Sequence, residues 1–267
     1  MSDCLLCNAW SDHFATATIL SKYDVDYFRC RDCGFIQTEA PYWLDEAYDQ
    51  AIVSTDVGLI SRNERFAKTT DRLLRIVLPG AKRCLDYGGG YGMFTRMMRD
   101  RGHRFEHHDP YCQNLFAAGF NANVDSDVRF DFLTAFEVME HLENPHQELQ
   151  TFDCLADNWL VSTELLPDHP PLPNDWWYYV LDGGQHISLW SKRALQIVAK
   201  MYDRHLISYR GLHLLTREKM RPTVVRYLMR NKFAGICDLI RRRKPLLGED
   251  YRQAVAETKA AAQTASV

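Results

Sequence analysis

The stretch Leu85-Asp86-Tyr87-Gly88-Gly89-Gly90-Tyr91-Gly92 decides the fold of this chain. A strand is predicted over Arg83–Tyr87 and a helix over Tyr91–Arg101, so the glycines lie where a first strand turns into a first helix. Glycine accepts positive φ angles and lets a ligand approach the backbone, next to the positive end of the following helix. A plain tight turn is the alternative, because a glycine-rich turn alone is weak evidence.

The glycine spacing discriminates between ligands. A dinucleotide fingerprint, counted from Gly88, would need glycine where Met93 stands, and a phosphate-binding P-loop would need a Gly-Lys-Ser/Thr ending that is absent. The pattern present is Asp-x-Gly-x-Gly-x-Gly, from Asp86 to Gly92. The second predicted strand ends at Asp109, where an acid can accept hydrogen bonds from both hydroxyls of a ribose. Capping a helix N-terminus is the alternative role for Asp109.

This pattern resembles the first motif of class I S-adenosylmethionine-dependent methyltransferases. The block Phe130–Leu142 also resembles that family, in its small-molecule branch, where an acid-His pair, here Glu140-His141, precedes a turn containing proline. Ordinary capping of a helix is the alternative for the pair. The resemblance covers about Arg83 to Arg217 and implies S-adenosylmethionine as cofactor. The residues it places around the cofactor are Asp86, Gly88, Gly90, Gly92, Asp109, Phe136 and Glu137.

Strands alternate with helices after residue 83, which predicts a parallel sheet with helices on both faces. Strands are predicted at Arg104–His108, Arg129–Phe136 and Trp159–Thr163, and helices near Tyr111–Ala118, over Met139–Leu155 and over about Ser191–Tyr202. The runs His205–Tyr209 and Leu212–Thr216 are too close for a helical crossover, so an antiparallel hairpin is expected at the sheet edge. The resemblance implies an α/β, Rossmann-like, doubly wound sheet of seven mostly parallel strands.

One departure from the family pattern concerns the third strand. The segment between Asp109 and Asp131 is short for a complete βα unit, so we expect the third strand to be truncated. The acid that would bind the adenine amino group is therefore not fixed by the motif, and Asp125 is the nearest candidate.

Two cysteine pairs near the N-terminus, Cys4-x-x-Cys7 and Cys30-x-x-Cys33, have the spacing of a four-thiolate zinc site. A redox pair or an iron–sulfur cluster are the alternatives. Four protein ligands leave no open position, so we expect a small zinc ribbon whose Zn²⁺ is structural. The arrangement resembles the N-terminal zinc modules of bacterial sugar C-methyltransferases, although those chains are longer and carry a C-terminal domain that is missing here.

Four consecutive aromatic residues, Trp176-Trp177-Tyr178-Tyr179, follow the fifth predicted strand. Such rings suit an apolar or sugar-like substrate, and a packed lid without a ligand is the alternative. His186 comes next, before a helix, at a position that related small-molecule methyltransferases often fill with histidine. We expect His186 to act as general base, with His141 as the second candidate, unless His186 is an ordinary buried histidine. Glu164 could orient either imidazole or act as base itself.

Composition narrows the function further. The 267 residues are 46% hydrophobic and 25% charged with a net charge of −3, which favours a small-molecule acceptor over nucleic acid. Residues 1–50 hold three Lys or Arg against nine Asp or Glu, so this segment would repel phosphates. No apolar run is long enough to span a bilayer and no leader is evident, so a cytoplasmic protein is expected. The basic segment Arg217–Lys244 is interpreted as a solvated helix face, with a membrane-surface or partner-binding helix as the alternative.

The sequence therefore predicts a zinc module at 1–40, a helical lead-in at 41–80, a methyltransferase domain at 81–218, and C-terminal helices with a frayed tail at 219–267. The predicted reaction is methylation of a small molecule at O or C, with a sugar or sugar nucleotide as the candidate acceptor. An rRNA or tRNA base methyltransferase and a non-catalytic ligand-binding protein of the same fold are the two alternatives. The oligomeric state is left open, a homodimer included.

Overall fold

A computed structural model describes residues 2–48, 57–124, 128–230 and 242–264, the last eight of these by backbone alone. Two features of the sequence lie outside the described residues: the candidate adenine-binding acid Asp125, and residues 231–241 of the basic segment. Within the described residues, no helix is both long enough and apolar enough to cross a membrane.

The strands, in chain order, are β1 (Ser2–Asp3), β2 (Trp10–Ile19), β3 (Tyr23–Cys30), β4 (Ile36–Thr38), β5 (Cys84–Tyr87), β6 (Phe105–His108), β7 (Phe132–Ala135), β8 (Asn158–Ser162), β9 (Leu165–Leu166), β10 (Ser188–Ser191), β11 (His205–Tyr209) and β12 (Leu212–Thr216). The helices are α1 (Leu44–Ala47), α2 (Leu59–Ile76), α3 (Met93–Asp100), α4 (Pro145–Leu155), α5 (Lys192–Met201), α6 (Pro222–Met229) and α7 (Leu247–Thr264).

The larger α/β unit is built on a sheet of order β11-β12-β8-β7-β5-β6. Strands β6, β5, β7 and β8 are parallel, and β12 and β11 continue the sheet as an antiparallel hairpin at its edge, as the sequence predicts. The expected count of seven strands is not found: the described part of this sheet has six. Beside β6, where a further strand would pair, one parallel bridge joins His107 to Asn121.

The helix expected near Tyr111–Ala118 is wrong, because side chains there take the backbone groups that a helix would use. Asn114 accepts a hydrogen bond from the Ala117 amide at 2.9 Å and donates to the Ala117 carbonyl at 2.8 Å. Asparagine commonly stabilises turns in this way. The segment therefore consists of turns along the sheet edge. Its only pairing with β6 among the described residues is the bridge between His107 and Asn121.

The helix expected over Met139–Leu155 is interrupted. Met139–His141 form one 3₁₀ turn, and α4 begins at Pro145 with Asn144 as its N-cap, accepting from the Gln147 amide at 3.2 Å. Proline is tolerated at the first helical position but not within a helix, and asparagine is a preferred N-cap. The break holds Glu140 and His141 in a tight turn at the end of β7, at the carboxyl edge of the sheet.

The N-terminal sheet extends beyond the first forty residues. Its order is β1-β2-β3-β4-β10-β9, so strands from the segment that follows β8 complete it. Ser188 lies opposite Gln37, and the Thr38 amide donates to the Ile187 carbonyl at 3.1 Å. The N-terminal residues are thus joined by hydrogen bonds to the loop that carries the predicted general base.

Candidate active site

A cavity of about 1620 Å³ lies over the carboxyl ends of β5, β6 and β7. The glycine turn after β5 and Asp109 after β6 form one side of it, while His141, His186 and the aromatic loop form the other. Carboxyl ends of parallel strands are where open α/β sheets bind ligands. The fold therefore brings most of the residues singled out by sequence into one space.

The backbone amides of the glycine turn already donate hydrogen bonds to groups within the protein. Gly88 and Gly89 donate to the His108 carbonyl at 2.8 and 3.3 Å, and Gly90 donates to Asp109 Oδ2 at 2.8 Å. A phosphate cradle needs such amides free. Gly90 has a φ of +55°, and no described atom lies within 4 Å of the position its Cβ would take. The turn thus offers a ligand a bare backbone surface, without a set of free donors.

Two carboxylates, those of Asp86 and Asp109, lie next to this turn. Asp86 is 2% exposed and accepts hydrogen bonds from Thr95 at 2.8 Å and Thr134 at 3.0 Å, and burial raises the pKa of its carboxyl to about 6. Asp109 is half-buried at the cavity, where its Oδ1 accepts from the amides of Tyr111 and Cys112, each at 2.8 Å. Asp109 therefore caps a turn and also faces the cavity.

Phe136 and Glu137 follow β7 and form part of the cavity wall. Phe136 stacks on Phe66 with ring centroids 4.3 Å apart. Glu137 has a φ of +55°, which is uncommon for a residue with a side chain. Ser162 fixes it from β8 by donating to Oε1 at 2.6 Å, and Arg62 lies 3.4 Å from Oε2. Strained backbone of this kind concentrates at functional sites.

His141 and His186 meet at the inner end of the cavity, with ring centroids 5.0 Å apart. Nδ1 of His141 lies 3.0 Å from the Gln185 carbonyl, and Nδ1 of His186 lies 2.6 Å from the Tyr178 carbonyl. Burial lowers the pKa of His141 to about 3 and that of His186 to about 4, so both rings are neutral near pH 7. The two rings come from different elements, the turn after β7 and the loop before β10.

Glu140 is a site residue that the sequence reasoning did not place at the centre. Its side chain is fully buried, and Tyr178 donates its hydroxyl to Oε1 at 2.7 Å. Burial, helped by the charge of Glu137, raises the pKa of Glu140 to about 8. Its position directly after β7 and before a histidine was the available signal, but the buried environment depends on the distant aromatic loop.

Three predicted site residues do not line the cavity. Gly92 is the N-cap of α3, and a Cβ at this glycine would meet the Asn114 side chain. Glu164 is exposed and does not line the cavity; its carboxylate faces Gly211, at the hairpin that joins β11 to β12. Tyr179 is buried in the core beside Tyr27, with ring centroids 5.4 Å apart, and donates to the Pro171 carbonyl. Trp177–Tyr179 form a 3₁₀ turn, and the Tyr179 ring joins the buried cluster of the N-terminal sheet that contains Tyr27.

The other aromatic residues do line the cavity. Trp177 is 72% exposed at its mouth, Trp176 is half-buried, and Tyr178 is buried beside His186 with ring centroids 4.8 Å apart. The loop therefore offers an exposed ring at the entrance and a buried ring at the histidine pair, which is the order in which an entering molecule would meet them.

The four N-terminal cysteines form a second cluster away from the cavity. The sulfur atoms of Cys4 and Cys33 are 3.7 Å apart, those of Cys7 and Cys30 are 3.5 Å apart, and all four lie within 4.8 Å of one another. Four sulfurs each ~2.3 Å from a tetrahedral metal are about 3.8 Å apart. The cluster has the size of a tetrahedral thiolate site.

Comparison with known proteins identifies the family. The family model described as "Methyltransferase domain" matches residues 60–203. No curated protein matches the chain. Among solved structures, a 1,6-didemethyltoxoflavin N1-methyltransferase of Burkholderia thailandensis is 15% identical over 76% of this chain and 96% of its own, with a TM-score of 0.46. Human N-acetylserotonin methyltransferase is 14% identical over 66% of each chain, with a TM-score of 0.43. Because the family model spans more than half of its residues, this chain belongs to the methyltransferase domain family.

Proposed function

We propose that this methyltransferase transfers a methyl group from S-adenosylmethionine to a small-molecule acceptor. One observation carries the proposal: a single cavity of about 1620 Å³ joins the glycine turn and Asp109 to a buried pair of neutral histidines. A cofactor at the glycine turn and an acceptor at the histidines would meet within this space. Holding two reactants in line supplies much of the acceleration in such a transfer.

The cavity lining fits this cofactor. Arg62 is the one Lys or Arg among its described lining residues, whereas six acidic residues line it: Asp86, Asp109, Glu137, Glu143, Glu148 and Asp182. S-Adenosylmethionine supplies a methyl group on a positively charged sulfur and carries no phosphate. An acidic lining favours such a cation, and a glycine turn whose amides are engaged suits a ligand without phosphate.

Asp109 is the residue that we propose to bind the ribose. Its Oδ1 already accepts from two backbone amides, whereas Oδ2 accepts only from Gly90, so Oδ2 keeps a lone pair for a ribose hydroxyl. Gly88 and Gly90 would lie along the methionine part, and Phe136 and Glu137 would close the opposite wall.

The acceptor would lie between the aromatic loop and the histidines. Trp176, Trp177 and Tyr178 present ring surface, which suits a sugar-like or an apolar molecule. His186 is the proposed proton acceptor, because its neutral ring is fixed through Nδ1 and its Nε2 is then free to take a proton from an acceptor hydroxyl. The ring of His141 is likewise fixed through its Nδ1, so its Nε2 is the second candidate proton acceptor.

We also propose a structural zinc ion on Cys4, Cys7, Cys30 and Cys33. The sulfur separations and the two knuckle spacings support this ion, and four thiolates would saturate it. Its role would be to hold β3 and the turn that leads to β4 in place, and therefore the sheet that β10 completes.

Methylation of RNA is the competing function, and the charge of the cavity argues against it. RNA sites neutralise phosphates with Lys and Arg, whereas this lining is mainly acidic. Labelled S-adenosylmethionine should transfer its methyl group to a fraction of small metabolites and not to total RNA. Incorporation into RNA alone, or no incorporation into either pool by protein that binds the cofactor, would contradict the proposal.

A further inference from the structure

Three potential metal ligands lie together at the cavity: His141 and His186 line it, and Glu140 is fully buried beside them. Glu140, His141 and His186 each place a ligand atom within 4.8 Å of the other two. All three belong to the turn after β7 or to the loop before β10, so both protein segments would contribute to one site. The cluster is separate from the four cysteines.

Hydrogen bonds fix which imidazole nitrogen is free. A carbonyl oxygen can only accept, so Nδ1 of His186, which faces the Tyr178 carbonyl, carries the proton. Nδ1 of His141 lies 3.0 Å from the Gln185 carbonyl and 3.2 Å from the Tyr48 hydroxyl, and the shorter contact with the carbonyl places the proton on Nδ1 there as well. The lone pair of each neutral ring is therefore on Nε2. Within the described chain, no hydrogen bond engages either Nε2 atom. Metal-binding histidines are commonly oriented in this way, by donating the other ring N–H to a carbonyl or carboxylate.

Glu140 contributes an oxygen that nothing satisfies. Its Oε1 accepts from Tyr178, but its Oε2 is buried and has no hydrogen-bond partner in the part of the chain that the structure describes. Burying a polar atom without a partner costs free energy, and native structures rarely leave one so. Glu137 adds a further negative charge near this oxygen. A cation bound to Oε2 of Glu140 would offset the free-energy cost of burying this oxygen.

We propose that Glu140, His141 and His186 bind a divalent metal ion through one carboxylate oxygen and two imidazole nitrogens. Two imidazoles and one carboxylate suit a first-row transition metal and leave open coordination positions. Ligand atoms about 2.1 Å from an ion lie about 3 Å apart, so modest side-chain rotations draw the three atoms together.

The ion would act on the acceptor side of the proposed function, on which this inference rests. Its open positions face the cavity, where they would hold and polarise an acceptor oxygen. His186 would then hold the ion and would not take the proton. Nε2 of His186 is therefore a metal ligand if the ion is bound, and the proton acceptor if it is not.

The test is a titration of zinc-loaded protein with Mn²⁺. Binding is measured as the loss of the electron paramagnetic resonance signal of free Mn²⁺. One equivalent of Zn²⁺ per chain first saturates the cysteines, and no excess is added because Zn²⁺ binds imidazole and carboxylate ligands more tightly than Mn²⁺ does. Mn²⁺ in turn prefers oxygen ligands to thiolates. We expect one Mn²⁺ per chain, with affinity reduced at least about tenfold in Glu140→Gln and in His186→Ala. Glu164→Gln is the matched control, because its carboxylate lies outside the cavity, and its Mn²⁺ affinity should be unchanged.

Calorimetry with S-adenosylmethionine on the same samples separates the two proposals. Wild-type protein that binds S-adenosylmethionine but no Mn²⁺ overturns the metal site alone. Equal Mn²⁺ affinity in wild type, Glu140→Gln and His186→Ala also overturns it. Absent cofactor binding overturns the proposed function, while the Mn²⁺ titration still decides the metal site. If Glu140→Gln fails to fold, His141→Ala and His186→Ala provide the comparison.

Discussion

At the scale of single residues, Asp109 gives the sharpest test of the cofactor site. Asp109→Ala removes an acceptor that faces the cavity and holds the Gly90 amide, so affinity for S-adenosylmethionine should fall more than about tenfold. Asp131→Ala is the control, since Asp131 accepts from the amides of Lys82 and Arg83 outside the cavity. Both variants lose backbone hydrogen bonds, but calorimetry should show weaker cofactor binding in Asp109→Ala alone. Unchanged affinity in Asp109→Ala would remove Asp109 from the site.

Asp86 makes folding stability depend on pH. Burial raises its pKa from 3.8 to about 6, although Thr95, Thr134 and His107 favour the charged form. The native state therefore binds the proton more tightly than the unfolded state, and the contribution of Asp86 to stability falls as pH rises from about 4 to about 6. Asp86→Asn should lack this decrease in the free energy of unfolding, which is on the order of 2 kcal/mol in the wild type. Urea unfolding of both proteins at pH 4.5 and 7.5 measures the difference, and parallel pH profiles would contradict the assignment.

The residues that the sequence places correctly at the cavity are those whose position is decided locally. The glycines and Asp109 act within one turn, so their spacing carries the information. Glu140 and Tyr179 were misjudged because their surroundings come from distant segments: Tyr178 covers the first, and Tyr27 packs against the second. Glu164 follows β8 as the other site residues follow their strands, but it lies beside the edge hairpin. Which side of the sheet edge a residue faces depends on tertiary structure.

At the scale of elements, the cysteine pairs and the loop that carries His186 are linked through one sheet. β3 ends at Cys30, β4 pairs with β10, and Ile187 accepts from Thr38. Cys30→Ser should therefore lose the zinc ion, loosen the loop that carries His186 and reduce methyl transfer, while cofactor affinity remains. Metal analysis, calorimetry and a methyl-transfer assay measure the three effects.

Cys154→Ser is the control for that experiment, because Cys154 is a lone exposed cysteine on α4 and should keep zinc and activity. Iron, or no metal, in freshly purified wild-type protein would refute the zinc assignment. Full activity in zinc-free Cys30→Ser would refute the link between the two segments.

Elements with a strong periodic pattern were predictable, and those decided by side-chain capping were not. The alternating strands and helices of the α/β unit and the edge hairpin agree with the sequence prediction. The expected helix after Asp109 failed because Asn114 satisfies the local backbone, and the helix after β7 was divided by Asn144 and Pro145. The pairing of β10 with β4 joins segments about 150 residues apart in sequence, so no local pattern could indicate it.

At the scale of the whole molecule, one of the three hydrophobic clusters contains residues of both sheets. Phe35 of the N-terminal segment and Trp190 of β10 are fully buried, with ring centroids 4.9 Å apart. The same cluster of buried residues includes Cys33 as well as Leu133 and Phe152 of the α/β unit. A core that crosses both sheets is expected to unfold in one cooperative step.

Hydrogen exchange tests that single step. Amides of β3 and β7 should open with the same free energy, because neither sheet keeps a complete core without the other. Phe35→Ala should lower both opening free energies by the same amount, about 3–5 kcal/mol, since it empties a site that both sheets enclose. Trp10→Ala, at the start of β2 and 45% exposed, should change neither. Exchange of β3 amides at a clearly lower free energy than those of β7 would instead mean that the N-terminal segment opens alone, and the zinc ion would then stabilise only that segment.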